Sequence, residues 1–500
     1  MSESARGSGI RAAPGEAAVV ALAVALSAVY IAIVCFRPTG TVDLWWTLAA
    51  GDYIRAQGDV PRTALWTIDA VRDLPYVCHG WLAALAFSEV AAAFGLDAVP
   101  AVPTVIALCV FGAMVATARR LGAPWLLAVA VADVALFIVS LRMIARAEVF
   151  AYLWFALALN RLAAFVGGGR ARDLAWLLPI AVLWANSHAS FPLLPGVVLL
   201  AAAGSALDAW RSAGFRPAAL AASAFSRRTA LLGAAALLAI LAALANPYGI
   251  ALVRHVLEPT SPDSMTRFLE EWQPLTAGGA LPPRFAVPAI LLAGAIFDGG
   301  RRMSFVSILL AAALAALALS AERHIAFFGI GAAFALGDYA SGLAPGRRVR
   351  TAIAAALAVA LIGANAFAAA ALGFGDRSLT AHPSDGITPR GLAFVREHVR
   401  GNVLNSYHLG GALIYFGYPQ LRVSIDSRAD PFPPAYYLAH RDALYGGPSA
   451  TLAFADRYGI DHIILVRQTY ERRLADHVGE LDGFRLVYED ELTAVLSRVR

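Results

Sequence analysis

Lysine is absent from all 500 residues, so the 40 basic side chains counted as lysine plus arginine are all arginine. That excludes a lysine-dependent phosphate loop and a Schiff-base lysine. Cysteine is almost as scarce. Cys35 and Cys109 lie inside apolar runs and Cys78 lies in a loop, so neither a disulfide framework nor cysteine metal ligation is implied. Charged residues make up only 15% of the chain, and the net charge of +5 is what arginine-bearing cytoplasmic loops produce; it makes no case for nucleic acid as a partner. Alanine-rich stretches look like low complexity, but no fixed-period repeat is present.

What is there instead is a succession of apolar runs, with hydrophobic residues reaching 59%. They lie near 17–36, 99–117, 125–141, 148–166, 174–187, 190–209, 229–245, 285–297, 303–320, 325–342 and 351–372, which predicts a polytopic α-helical membrane protein of about eleven spans. The arginines orient it. With Arg6 and Arg11 in the cytoplasm, alternation places Arg119 and Arg120, Arg170 and Arg172, Arg211 through Arg228, Arg301 and Arg302, and Arg347 through Arg350 inside. An odd number of spans then puts the C-terminal tail outside a cytoplasmic (inner) membrane. Trp81 to Phe94 is short for a span and reads as a helix at the outer interface; were it to cross, every arginine pair would invert to the outside. The first run is as long as a span, and Gly7, Ser8 and Gly9 precede rather than follow it, so it reads as a retained anchor and not a signal peptide.

Composition changes once, near Gly375. Beyond it, strands are expected at Val403 to Asn405, Arg422 to Ile425, His462 to Val466, Phe484 to Tyr488 and Thr493 to Leu496, and helices near 388–399, 410–417, 433–444, 449–458 and 469–478. The expected division is a transmembrane domain over 1–374, with an outer loop at 37–98, and an extracytoplasmic α/β domain over 375–500.

Polar residues gather at the outer ends of the spans. The first outer loop carries Asp43-Leu-Trp45-Trp46, Asp52, Val60-Pro61-Arg62 and His79-Gly80-Trp81. Asp43 is placed to take a proton from an attacking hydroxyl, or to cap the helix that starts at Leu44, with Trp45 and Trp46 as an interfacial belt. Further along stand Arg146 and Glu148, Asn186 and His188, Asn246-Pro247-Tyr248, Glu271-Trp272 and Glu322-Arg323-His324. Ionisable groups at membrane depth are costly, and their concentration on one face marks a site. Arg146 and Arg323 suit phosphate oxygens, and carboxylates and amides suit sugar hydroxyls. The plain alternatives are that Arg146 pairs with Glu148 or Glu322, and that His188 is a hydrogen-bonded interface residue. His188, His255 and His324 with a glutamate leave room for a divalent metal, although their spacing fits no zinc motif. In the tail, Tyr407 and the Asp426-Ser427-Arg428 segment follow strands, where open α/β sheets bind ligands. Gly410 and Gly411 open a helix whose N–H groups could hold an anion, and Asp426 with Arg428 equally reads as a structural salt bridge.

Taken in order, Asp43 with the double tryptophan, Val60-Pro61-Arg62, His79 and Trp81, Arg146 with Glu148, Trp184-Ala-Asn186-Ser-His188, Asn246-Pro-Tyr248-Gly249, Glu271-Trp272-Gln273-Pro274 and Arg323-His324 resemble a widespread group of bacterial polytopic proteins. That group is similar to the GT-C glycosyltransferases, which take sugars from polyprenyl-phosphate donors and include protein mannosyltransferases and aminoarabinose lipid A transferases. The resemblance implies Asp43 as catalytic base. The polar span ends and the tail add, as expected substrate-binding residues, Trp46, Asp52, His79, Arg146, Glu148, Asn186, His188, Tyr248, Glu271, Arg323, His324, Tyr407, Asp426 and Arg428. Many members carry an acidic pair where Leu44 follows Asp43 here, and Asp52 is the other carboxylate in reach of that role. The function implied is transfer of a sugar from a polyprenyl-phosphate carrier in the membrane lipid to a glycan, lipid or protein acceptor. Transport of a lipid-linked substrate, which would call for internally repeated broken spans, and a non-catalytic membrane scaffold are the other classes.

Overall fold

Every apolar run expected to cross the membrane is helical in the computed structural model, which describes residues 14–37, 41–257, 270–299, 303–372, 386–467 and 481–499, with Leu379, Leu474 and Gly479. Among the described residues six helices are long and apolar enough to cross a bilayer: Glu16–Cys35, Leu96–Leu121, Trp125–Arg142, Glu148–Gly168, Leu193–Ser212 and Arg347–Leu372. A seventh is added if Pro217–Ala224 and Arg227–Ala243, bent by 42°, form one span. The remaining apolar helices are shorter.

The helix Ile325–Ser341 lies at the centre of the bundle and is buried on nearly every side, as its uniformly apolar sequence requires. Phe327 near its start meets the rings of Tyr152, Phe155 and Trp184 at 5.2, 5.3 and 6.4 Å between centroids. The 3-10 turn Glu322–His324 leads directly into this helix. Packing of the core helix thereby fixes Arg323 and His324 at one polar end of the bundle.

The C-terminal unit is a five-stranded sheet, β1 (Gly401–Asn405), β2 (Leu421–Val423), β3 (His462–Val466), β4 (Phe484–Glu489) and β5 (Thr493–Arg498), in the order β2-β1-β3-β5-β4. The first three strands are parallel, and β5 runs antiparallel to both β3 and β4. Strand β2 stops at Val423, earlier than its sequence suggests. Just past it the Ser424 N–H is shared between the Val403 carbonyl at 2.9 Å and the Asn405 side chain at 3.0 Å, and the Asn405 amide donates to the Ile425 carbonyl at 2.9 Å. Helices Pro389–His398, Gly410–Gly417, Pro434–Tyr445 and Pro448–Arg457 stand where they were expected. Apart from Leu474, the expected helix at 469–478 lies outside the described residues.

The loop that precedes the helix Trp81–Phe94 is built into this sheet. Trp66 and Ile68 exchange backbone hydrogen bonds with Val423, which covers the exposed edge of β2. Arg428 forms a two-pronged salt bridge with Asp426, both side chains fully buried, and its guanidinium lies 4.9 and 4.8 Å from the Trp66 and Tyr76 rings. The structural-salt-bridge alternative therefore holds for Asp426.

Two expectations fail against this seam. Trp45 is no interfacial belt residue: it is 1% exposed and packs on Tyr415 and Phe416 of the helix Gly410–Gly417. Nor is the start of that helix open to an anion. A Cβ on Gly410 would stand 2.2 Å from the Ile425 carbonyl oxygen, and one on Gly411 would stand 2.8 Å from that of Val42. The glycines let backbones approach.

Candidate functional site

Polar helix ends and the sheet unit enclose a cavity of about 1280 Å³. Asp43 and Trp46 come from the start of the helix Leu44–Gln57, and His79 from the turn before the helix Trp81–Phe94. Arg142, Arg146 and Glu148 flank the start of the helix Glu148–Gly168, and His188 follows the helix Leu177–Ser187. Glu271, Arg323 and His324 come from two 3-10 turns, and Tyr407, Ser427 and Asp430 from segments following β1 and β2. Strand order reverses about β1, so Tyr407 and Ser427 leave the sheet where an open α/β sheet forms its crevice.

Asp43 occupies the N-cap position without capping: its side chain bonds no helix N–H. One oxygen, Oδ1, accepts from Ser427 Oγ at 2.7 Å and from Trp46 Nε1 at 3.2 Å, and Oδ2 meets Arg146 Nη2 at 2.6 Å. A carboxylate has about four acceptor sites, so Oδ2 keeps one for an incoming donor among the described contacts. The sequence alternatives for Arg146, a pair with Glu148 or with Glu322, are both replaced. Arg146 holds Asp43 and Glu271, with Nη1 3.1 Å from Glu271 Oε2; Arg142 takes Glu148 at 2.8 Å, and Glu322 pairs with Arg284.

Glu271 is the hub of this network, touched by Arg142, Arg146 and Arg323. Burial works to raise its pKa, yet Arg146 and then Arg323 outweigh burial and hold the carboxyl below the ordinary range. With Asp43 and Glu148 included, three guanidiniums face three carboxylates and the formal charges cancel. Arg323 is the loosest member. It stands 3.8 Å from Glu271, too far for a hydrogen bond, and lies over the Trp272 ring at 4.3 Å. His188 Nδ1 accepts the Ser190 N–H at 3.1 Å, and burial, joined by Arg323 and Arg146 against Glu148, pushes the imidazole down to about 4.

A second cluster lines the cavity. His79 Nδ1 and His255 Nε2 stand 3.8 and 3.6 Å from Asp430 Oδ2, and the two rings stack at 5.3 Å. The metal set suggested by sequence, His188, His255 and His324 with a glutamate, does not assemble. His255 joins His79 and Asp430, while His324 turns to the Leu317 carbonyl and the Trp272 ring.

Of the residues named from sequence, Asp43, Trp46, His79, Arg146, Glu148, His188, Glu271, Arg323, His324, Tyr407 and Arg428 line this cavity. The other four lie elsewhere. Asp52 accepts from Ser88 at 2.5 Å, and its side chain is 47% exposed. Asn186 is a strut between Trp81 Nε1 and the Val182 and Ala245 carbonyls. Tyr248 Oη accepts from the Cys78 N–H and donates to the Pro61 carbonyl. Asp426 is sealed beneath Arg428. Arg142 and Asp430 belong to the site and were not singled out, and Ser427 was marked only as part of the segment after β2. Arg142, four residues before Arg146 at an apolar run's end, carried a readable signal; the bond of Ser427 to Asp43 and the place of Asp430 are recognisable only from tertiary contact.

An apolar bundle whose polar helix ends meet a loop-anchored α/β unit over one cavity has the architecture of the GT-C-type membrane glycosyltransferases. No family profile and no curated protein sequence matches the chain. Similar solved structures include the archaeal oligosaccharyltransferase AglB from Archaeoglobus fulgidus in complex with an inhibitory peptide and a dolichol-phosphate, at TM-score 0.60 and 12% identity, covering 97% of this chain and 74% of that one. The oligosaccharyltransferase of the same organism in complex with Zn and sulfate follows at 0.55 and 12%, covering 96% and 73%. ArnT from Cupriavidus metallidurans in the apo state matches at 0.51 and 14%, covering 97% and 99%. At these identities the likeness establishes the fold.

Proposed function

We propose that this chain transfers a sugar from a polyprenyl-phosphate-linked donor to a glycan, lipid or protein acceptor on the outer side of the cytoplasmic membrane. In this reading the helices cross about eleven times, the N-terminus is cytoplasmic, Trp81–Phe94 lies at the outer interface, and 375–500 stands outside the membrane over the 1–374 domain. The observation that carries the proposal is the meeting of Asp43, Arg146, Glu148, Glu271 and Arg323 in one cavity at the polar end of an apolar bundle.

Asp43 is the general base. An acceptor hydroxyl uses the remaining site on Oδ2, gives its proton to the carboxylate, and attacks the anomeric carbon as the bond to the lipid phosphate breaks. The departing phosphate carries away the electron pair. Arg323 receives that phosphate, because among the described residues it is held by a 3.8 Å ion pair and an aromatic face and can turn without breaking a short bond to them. Arg146 has a different task from the phosphate grip expected of it. Bound to both Asp43 and Glu271, it fixes the base in place.

In membranes given labelled polyprenyl-phosphate sugars, Asp43→Asn should lower transfer by about two to four orders of magnitude while leaving expression and donor binding intact. Asp52→Asn should stay near wild type, and Arg323→Ala should weaken donor binding. Full activity in Asp43→Asn would remove the base assignment, and a folded wild-type chain that binds no donor across a broad panel would remove the transferase reading.

A further inference from the structure

His79, His255 and Asp430 reach one point on the cavity wall from three segments far apart in sequence, and one donor atom of each lies within 4.8 Å of the other two. The carboxylate stands 3.8 and 3.6 Å from the two ring nitrogens, beyond hydrogen-bond length. Two ligands of a tetrahedral ion bound at about 2.0–2.1 Å sit about 3.3 Å apart, so the two histidine–carboxylate separations need to close by about 0.3–0.5 Å and no separation in the trio by more than about 1.5 Å, within reach of side-chain rotation. The second observation concerns satisfaction. His79 Nδ1 is buried and has no hydrogen-bond partner among the described residues, a costly state for an imidazole nitrogen that faces a carboxylate. Ring stacking of His79 on His255 accounts for the packing of the two rings but gives that nitrogen nothing to bind.

We propose that His79, His255 and Asp430 hold one divalent first-row cation of the Zn²⁺ class on the cavity wall. Two imidazoles and one carboxylate suit such ions and are poor ligands for Mg²⁺ or Ca²⁺, which favour oxygen. Three protein ligands leave a fourth position, and the trio lines the cavity, so that position faces whatever the cavity admits. Asp43 is not part of this centre: the trio is His79, His255 and Asp430, and the Asp43 carboxylate is held by Arg146, Ser427 and Trp46. The site goes beyond the transferase reading and stands without it, since a metal binds here whether or not a sugar is moved.

The test is metal binding itself. Full-length, tag-free protein in detergent, stripped with a chelator, is titrated with ZnCl₂ by calorimetry and separately with Co²⁺, followed by its visible absorption. One equivalent should bind, with the d–d bands of a nitrogen- and oxygen-ligated Co²⁺. Asp430→Asn and His255→Gln should each weaken binding by about 100-fold or more, more than the loss of an outer-shell partner costs. Glu89→Gln, an exposed carboxylate paired with Arg55, should bind as wild type does. Should one ligand variant lose its monodisperse elution, the other, or His79→Gln, supplies the comparison. The proposal falls if the stripped wild type takes up neither ion, or if monodisperse ligand variants keep wild-type affinity.

Discussion

At the scale of single residues, position and protonation of the polar groups are set by burial. Asp43 is held by Ser427, Trp46 and Arg146, so its orientation is set by the fold, and in the proposed role of base that lowers the reorganisation needed for proton transfer. His440 shows the same influence in the sheet unit: buried and bonded to Ser424, its imidazole is pushed down to about 3 by desolvation. The unfolded chain therefore binds a proton at higher pH than the native one does. Stability from this group is complete above about pH 6.5 and is lost as pH falls toward 3, about 2 kcal/mol of it by pH 5. Chemical unfolding of the purified protein at pH 7 and pH 5 should show that loss, and His440→Gln should flatten the slope; equal slopes would contradict it. The polar span-end residues were legible because they interrupt a chain that is 59% hydrophobic. Their partners were not. Arg146 and Glu271 meet across 125 residues, and no local rule chooses Glu271 over the adjacent Glu148.

Among the elements, the helix Gly410–Gly417 decides how the two halves meet. Its glycines bring it against the Ile425 carbonyl and the Val42–Trp46 backbone, and Trp45 fills the groove beside Tyr415 and Phe416. Gly410→Ala should therefore cost about 1–3 kcal/mol or more, since a Cβ would press on backbone that cannot yield. Gly363→Ala, in the helix Arg347–Leu372 with nothing near its added Cβ, should change little. Thermal unfolding in detergent separates the two, and equal melting temperatures would show that the seam can relax. Helices and strands were readable from periodicity, with β2 ending early where the Asn405 side chain, rather than further strand pairing, bonds Ser424 and Ile425. The seam was unreadable because Gly410-Gly411 at a helix start has two physical meanings, anion binding and close packing, and only the neighbour distinguishes them.

For the whole molecule, the bond between Asp43 and Ser427 constrains topology. The segment that carries Asp43 and the C-terminal unit must lie on the same side of the membrane, which agrees with the proposed topology, an odd number of spans between each of them and a cytoplasmic N-terminus. A reporter fused after Arg500 should be active only outside, and one fused near Arg120 only inside; a cytoplasmic C-terminus would place the cavity on the wrong side for an extracytoplasmic donor. The same bond also sets a clock. Its two residues are 384 positions apart, and at synthesis rates of about 5–20 residues per second the ribosome delivers the second roughly 20–80 s after the first. Until then Trp66 and Ile68 have no β2 edge to join and Asp43 has no hydroxyl to hold it. A chain in which Ser427 has yet to be made lacks one wall of the cavity, and the enclosure is completed by residues synthesised long after Asp43.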